Sequence, residues 1–526
     1  MKNSNVISRR AFSTALATAP WVARAQQGAL RARIKIDTER VIDDIDPKIY
    51  GNFIEHLGRC IDGGIFEEKS PLADASGFRK DVLDAAKKLN VTQLRWPGGN
   101  FSSNYNWRDG IGPRDKRPPR LEMAWGTVES NRFGTHEFLD YVEKLGTEPY
   151  ICVNLGTGSW VDAQQWVEYV NSPLDTAMTR LRKENGRDKP WKVTYWGLGN
   201  EMDGPWQMGH RTADDYGKFA LEAAKLMKLT DPSIKLIAAG SSNFRNGIDW
   251  IGWNRTILEY LKPQIDYLAV HLYVGNTDND YPEFISSSVD LSERIKTTEG
   301  VINAALAQSG GVPPLLPRDK KIHIAWDEWN VWYRARGAQQ RGRRILEERY
   351  NLEDALVVAT FLNTFINNAH IIKMANMAQL VNVIAPIFTE EGKMFLQTIY
   401  HPLALFANNS KGKALELFME SPKYTSKRFG DVPHLDTSAA YDNGSLVINV
   451  VNRHRDQAID TEFETQDKSF AGPIEIAEVT GPDIKAENSF DSVKVKTSPK
   501  SARADGKKFR YSFPPHSYTM LKTKLV

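Results

Sequence analysis

The stretch VTYWGLGNE, Val193 to Glu201, decides how the chain is read. Up to Gly199 it offers almost nothing to water on either face. A strand of that kind is covered on both sides, as in a parallel sheet. It stops abruptly at an amide and a carboxylate, Asn200 and Glu201. Seven other stretches share the plan: KIYGNFIEH, VTQLRWPGG, PYICVNLG, KLIAAG, IDYLAVHLY, IHIAWDEWN and MANMAQLVN. Helical patterns such as GFRKDVLDAAKKLN, THEFLDYVEKLG and ADDYGKFALEAAKLMKL separate them. Eight strands alternating with helices predict a (β/α)8 TIM barrel over residues 46–410 rather than an open doubly wound sheet.

Outside that region the pattern changes. After residue 410, SLVINVVNRH, GPIEIAEVTG, SVKVKT and FRYSFPPHSYTMLKTKLV are short, alternating and bounded by Asn, Gly and Pro. They predict a C-terminal antiparallel β-sandwich over 411–526. Residues 26–45 read as strand and turn, and are expected to join the same sandwich. Two domains suit 526 residues, since a single core rarely grows so large. The stretch 101–134, between the second strand and its helix, is too long for a plain connection and is expected to be an ordered pocket wall.

Composition narrows the classes. Hydrophobic residues at 41% and charged residues at 25% are those of a soluble globular protein. No run after residue 30 approaches the roughly 18–20 apolar residues that cross a bilayer, so no membrane is expected. Residues 1–25 carry a twin arginine, Arg9-Arg10, a small-residue apolar stretch and Ala23-Arg24-Ala25. That is the layout of a twin-arginine signal peptide, and it predicts a periplasmic or secreted protein. The +4 of Lys2, Arg9, Arg10 and Arg24 exceeds the whole-chain +3, leaving about −1 for residues 26–526. No nucleic-acid footprint remains. Cys60 and Cys152 do not make a disulfide framework, and buried thiols are expected.

In a barrel of this kind the chemistry sits at the C-terminal strand ends. Those ends carry Glu55, Arg95 with Asn100, Asn154, Asn200-Glu201, His271 with Tyr273, Asp327-Glu328 and Gln379. Glu201 and Glu328 close the fourth and seventh strands and are expected to face each other across the mouth. Two carboxyl groups about 5–5.5 Å apart are what a retaining glycosidase needs. Asp327 competes with Glu328, because neighbours on a strand point to opposite faces and spacing does not choose between them. His56 and His271 read equally well as satisfied rim residues and as substrate contacts. No G-x-G-x-x-G, P-loop, H-E-x-x-H or G-x-S-x-G pattern occurs, so no cofactor and no metal are expected.

Together GNFIEHLGRCIDGGIFE, LRWPGGNF, AWGTVESNRFG, YWGLGNEM, HLYV, WDEWNVWYR and MANMAQLVNVIAPI resemble glycoside hydrolase family 51, the α-L-arabinofuranosidases. The likeness runs from about residue 48 to 400, and the C-terminal domain is similar to the family's jelly roll. It implies Glu201 as acid/base and Glu328, not Asp327, as nucleophile. Glu55, Asn100, Asn200, Tyr273 and Gln379 would contact the arabinofuranose, with Arg95 supporting them, and Trp125 and Trp332 would recognise substrate. The family further implies arabinose-containing oligosaccharides or polysaccharides as partners, and a homo-oligomer. Asp62 and Asp203 stand where the family pattern has aromatic residues. Asp203 is expected to raise the pKa of Glu201, to bind the departing sugar, or to face solvent. A β-xylosidase or endo-β-glucanase on the same barrel, and a non-catalytic sugar-binding barrel, are the competing readings.

Overall fold

The computed structural model describes residues 30–308, 316–317, 319–337 and 342–526; residues 1–25, with the expected signal peptide, lie outside these. Eight parallel strands close into a barrel. They are β1 (Gly51–Phe53), β2 (Gln93–Trp96), β3 (Glu148–Val153), β4 (Tyr195–Leu198), β5 (Lys235–Ala238), β6 (Tyr267–Val274), β7 (His323–Val331) and β8 (Ile372–Ala378). β8 pairs back onto β1 and β5 onto β6, so no edge is left. Tyr150, Ile237, Tyr267, Ala269, Ala325 and Met374 fill the lumen. The barrel is therefore a packed plug with its chemistry above it.

Each strand leads into a helix. Lys80–Leu89 shows why these segments are helical: Val82, Leu83, Ala85, Ala86 and Leu89 line one face, and Asn90 ends it in the left-handed region at φ 63. β1 is shorter than its sequence suggests. Pro47 at the first helical position, with the Asp46 carboxylate accepting from Lys48 N, folds Pro47–Tyr50 into a 3-10 turn, and the strand begins only at Gly51. The stretch 101–134 is ordered, with three 3-10 turns and a hairpin pairing Arg120–Glu122 with Thr127–Glu129.

The second unit has two sheets. Seven strands run in the order Val41–Asp44, Lys413–Leu415, Leu435–Asp442, Ser445–Asn452, Ser517–Lys524, Phe470–Thr480 and Lys496–Gly506. Four run in the order Phe418–Glu420, Leu30–Ile36, Ile459–Thr465 and Lys508–Phe513. The pairing is antiparallel apart from one pair: Leu30–Ile36 lies parallel to Ile459–Thr465. Ile34, Leu435, Ile448, Phe463 and Leu521 pack between the sheets.

The barrel and the β-unit share a core. Helix Leu352–Asn367 is buried along nearly its whole length, because it lies between β7 and the seven-stranded sheet. Phe365 meets Trp329 edge-on, with centroids 5.2 Å apart, while Asn363 reaches the other way to Asp436 Oδ1 at 2.7 Å. A second join lies at the barrel mouth. The turn of hairpin Lys423–Ser426/Gly430–Pro433 is clamped by Glu283, which accepts from the Lys427 and Arg428 backbone N–H groups and from Ser426 Oγ. Phe365→Ala is expected to cost about 3–5 kcal/mol. Because the helix belongs to both units, calorimetry should show one transition moved down, not two separating.

Candidate active site

The strand ends meet around a cavity of about 1080 Å³. Its wall includes Glu55, Asn100, Trp125, Glu201, Tyr273, Glu328, Trp332 and Gln379. Arg95 and Asn200 lie directly beneath, each about 1% exposed. The structure thus brings together every residue expected to act on substrate. Asn154 is not among them. Its side chain accepts from the Gly156, Thr157 and Gly158 N–H groups and fixes the turn after β3.

One irregularity in β7 decides what the acids can do. Between Trp326 and Trp329 the strand has two residues where β8 has one, and the register against β6 also slips. Such a bulge re-aims side chains. Here it lets the successive residues Asp327 and Glu328 both reach groups inside the barrel. Asp327 accepts from Tyr150 OH at 2.8 Å and lies 3.2 Å from His271 Nε2. Glu328 Oε2 accepts from Arg95 Nη1 at 2.8 Å and Glu328 Oε1 from Tyr273 OH at 2.7 Å. Only Glu328 lines the cavity; Asp327 is sealed below it.

Glu201 follows β4 in the left-handed region at φ 44, an uncommon conformation for a residue with a side chain. The turn after it holds it there: Gly204 N donates to Glu201 O at 2.8 Å, and Trp206 Nε1 donates to Glu201 Oε2. His271 Nδ1 lies 3.0 Å from Glu201 Oε1 and 3.6 Å from Glu328 Oε2. Oxygens of the two glutamates and a ring nitrogen of His271 all fall within 4.8 Å of one another.

The electrostatics follow from that crowding. Burial raises the Glu201 pKa, and the charge of Glu328 raises it further, against the restraint of His271 and Trp206. Burial disfavours charge on His271, yet Glu328, Asp327 and Glu201 outweigh it and carry its pKa up to about 10. Burial also opposes ionisation of Asp327, and here Arg95 and His271 prevail, so its pKa is lowered. The pit therefore sets the cations of Arg95 and His271 among the acids, with proton binding favoured on Glu201. Glu55 accepts from Phe101 N, Trp125 Nε1 and Gln379 Nε2 at 3.0, 3.2 and 3.1 Å. Burial first, and then Glu328, push its pKa up to about 8 against the Phe101 N–H.

With this geometry the relatives are informative. A family model described as "Alpha-L-arabinofuranosidase 1 domain" matches residues 85–288, and one described as "Alpha-L-arabinofuranosidase C-terminal domain" matches 327–517. The chain is 42% identical over 472 residues to "Intracellular exo-alpha-(1->5)-L-arabinofuranosidase 1" of Bacillus subtilis, covering 88% of this chain and 92% of the relative. The chain belongs to the α-L-arabinofuranosidases of glycoside hydrolase family 51. A second relative, "Intracellular exo-alpha-(1->5)-L-arabinofuranosidase" of Halalkalibacterium halodurans, is 41% identical over 84% of this chain and 88% of its own. The crystal structure of the Thermotoga maritima α-L-arabinofuranosidase in complex with arabinose superposes with a TM-score of 0.84 at 37% identity, over 94% of this chain and all of that one.

Two expectations need correction. The arabinofuranosidases of both bacilli are named intracellular, which overturns the periplasmic or secreted location read from residues 1–25. Two arginines before a small-residue stretch form a short pattern that arises without any export role. Asp203 neither faces Glu201 nor points into solvent. Its carboxylate accepts from Ser242 N at 2.8 Å, Asn243 N at 2.9 Å and Ser242 Oγ, tying the loop after β5 to the loop after β4. Three other contributors escaped the sequence reading. Tyr150 sits inside a strand with nothing to mark it, and His271 reads in the sequence equally as a rim residue and as a substrate contact. Trp206 was the findable one, five residues past Glu201 across a Gly204-Pro205 turn.

Gly99 supplies a test of the pocket floor. A Cβ there would stand 3.4 Å from Asn200 Nδ2 and 3.5 Å from both Glu328 Oε2 and Glu55 Oε2. Gly99→Ala should lower kcat/KM by about a hundredfold. A second test concerns proton affinity. The His271 cation favours ionised Glu201, so His271→Gln should move the alkaline limb of the kcat/KM profile to higher pH by roughly one pH unit. A limb moving to lower pH would contradict the arrangement.

Proposed function

We propose that the chain is a retaining, exo-acting α-L-arabinofuranosidase that releases terminal non-reducing α-L-arabinofuranosyl residues from arabinan, arabinoxylan or oligosaccharides derived from them. The observation that carries the reading is the approach of Glu201 and Glu328 oxygens within 4.8 Å. Retaining pairs stand about 5–5.5 Å apart, whereas inverting pairs leave about 6.5–9.5 Å for a water molecule. The exo mode and the α-(1→5) linkage appear in the name of the Bacillus subtilis relative and are carried to this chain as part of the proposal.

The steps follow from the hydrogen bonds. Glu328, held by Arg95 and Tyr273, attacks the anomeric carbon as Glu201 gives its proton to the glycosidic oxygen. That step breaks the bond to the leaving group and forms a glycosyl ester on Glu328. Loss of the leaving group removes the proton from Glu201, which then takes one from water. The water oxygen attacks the anomeric carbon and expels Glu328. His271 is charged throughout and steadies whichever glutamate is anionic. Glu55, Asn100, Asn200, Tyr273 and Gln379 hold the sugar hydroxyls over the Gly99 floor, and Trp125 and Trp332 flank it. A homo-oligomer belongs to the same reading. Its support is the outward apolar face of the 120–129 hairpin, where Leu121 and Val128 are paired and 68% and 71% exposed.

Proton NMR during hydrolysis of 4-nitrophenyl α-L-arabinofuranoside should show the α anomer formed first, with the β-D-xyloside cleaved far more slowly. Glu328→Ala should abolish turnover of every substrate. Glu201→Ala should retain aryl glycosides with good leaving groups, and azide should restore its rate with an α-arabinosyl azide as product. Initial release of the β anomer would overturn the mechanism.

A further inference from the structure

The two acids of the site are held in different ways. Glu328 is aimed by charge and hydrogen bond, through Arg95 and Tyr273. Glu201 has the His271 ring, the Trp206 indole and a left-handed backbone at φ 44. A backbone of that kind in a residue with a side chain persists only where its surroundings over-determine it. What over-determines it here is built from side chains.

The ladder between β4 and β5 ends with Leu198 opposite Ala238. It stops there because Gly199 and Glu201 both adopt positive φ, 80 and 44. The main-chain groups beyond that point still need partners, since leaving them buried and unpaired is costly. Two side chains supply them. Tyr216, fully buried on helix Ala213–Thr230, donates its hydroxyl to Leu198 O and accepts from Ala239 N, both at 2.8 Å. Asp203 is the second. One carboxylate oxygen accepts from Ser242 N and Asn243 N at 2.8 and 2.9 Å, and the other accepts from Ser242 Oγ. Residues 198–203 are thus fastened at both ends to residues 239–243, and Glu201 lies between the two fastenings.

The same segment also fixes the strand that carries His271. Ser241 O accepts from His271 N at 3.2 Å, and the buried Asn254 donates to Ser241 Oγ at 3.0 Å. One residue earlier the segment lies directly on β6: a Cβ on Gly240 would stand 2.0 Å from Ala269 O. Residues 239–243 therefore meet the turn of Glu201 on one side and the strand of His271 on the other. The 3.0 Å contact between His271 Nδ1 and Glu201 Oε1 spans those two neighbours.

We propose that Asp203 and Tyr216 are positioning residues for acid/base catalysis, which keep the Glu201 carboxyl aimed at the glycosidic oxygen. Neither lines the cavity, so both act through Glu201 and not on the sugar. The inference rests on the reading of Glu201 as acid/base and names the groups that aim it.

Two aryl glycosides test it by kcat/KM, which covers the steps up to departure of the aryl group. 2,4-Dinitrophenyl α-L-arabinofuranoside loses its aryl group as a stable anion and needs no proton, whereas phenyl α-L-arabinofuranoside does need one. Asp203→Ala removes all three of its bonds. It should lower kcat/KM about tenfold for the phenyl glycoside and less than about twofold for the dinitrophenyl one. Tyr216→Phe keeps the ring but frees Leu198 O and Ala239 N, and should show the same split. Asp203→Asn should restore most of the phenyl rate. Its amide oxygen can accept from both N–H groups while its NH2 donates to Ser242 Oγ. Where Asp203→Ala is recovered only as aggregate, Tyr216→Phe carries the comparison. Equal losses on both glycosides, or none, in Asp203→Ala and Tyr216→Phe overturn the inference. So does an Asp203→Asn enzyme no better than Asp203→Ala, which would assign the effect to charge. Glu201→Ala is the reference: if it shows no split between the two glycosides, the acid/base reading itself fails and the inference falls with it.

Discussion

Everything at the mouth of this barrel depends on one buried guanidinium. Arg95 is about 1% exposed and stacks 4.5 Å over Phe53. It donates to Glu328 Oε2, to the Asp327 carbonyl and to Asn200. Burying a charge without a partner costs far more than a fold can spare, so three carboxylates so close together require cations among them. Arg95 supplies one from below and His271 another from the side. The same contacts fix geometry, since a planar fork of donors holds its acceptors in one plane. Removing this side chain would leave Glu328 with Tyr273 as its donor and Asp327 with His271 as its remaining counter-charge.

The second constraint is backbone. A regular β7 would present either Asp327 or Glu328 to the barrel interior, never both. The extra residue in β7 resolves the conflict, giving one acid to the structural network and the other to the cavity. At β4 the equivalent device is the left-handed Glu201, held by the turn that also carries Trp206. Both acids thus stand on local departures from ideal strand geometry, supported by regular structure behind them.

That explains what the sequence could and could not reveal. Continuous apolar runs such as VTYWGLG are legible because burial on both faces leaves a plain signature. The convergence of Glu55, Asn200, Glu201 and Glu328 follows from the rule that strand ends gather at one rim. The bulge was invisible, since period-two reasoning assumes a regular strand, and the choice between Asp327 and Glu328 came from family likeness alone. The start of β1 was misread because an Asp46-Pro47 cap outweighed the apolar run behind it. Asp203 was misplaced for a related reason. The chain turns at Gly204, just after Glu201, and sends that carboxylate to the neighbouring loop. His271 illustrates a different limit: its three acidic neighbours come from β4 and β7, and no local spacing records them.

The parallel pairing of Leu30–Ile36 with Ile459–Thr465 has a consequence for biosynthesis. The first strand of the β-unit leaves the ribosome roughly four hundred residues before its partner. At about 5–20 residues per second that is an interval of roughly 20–85 s. Throughout it, a strand with buried-type positions at Ala32, Ile34 and Ile36 has an open edge of the kind that recruits other chains. The barrel can close in the meantime, since all eight of its strands precede residue 379. Folding order in this protein is therefore not chain order: the earliest strand is among the last to be seated, and the interval before its capture is when a nascent chain is most exposed to misassembly.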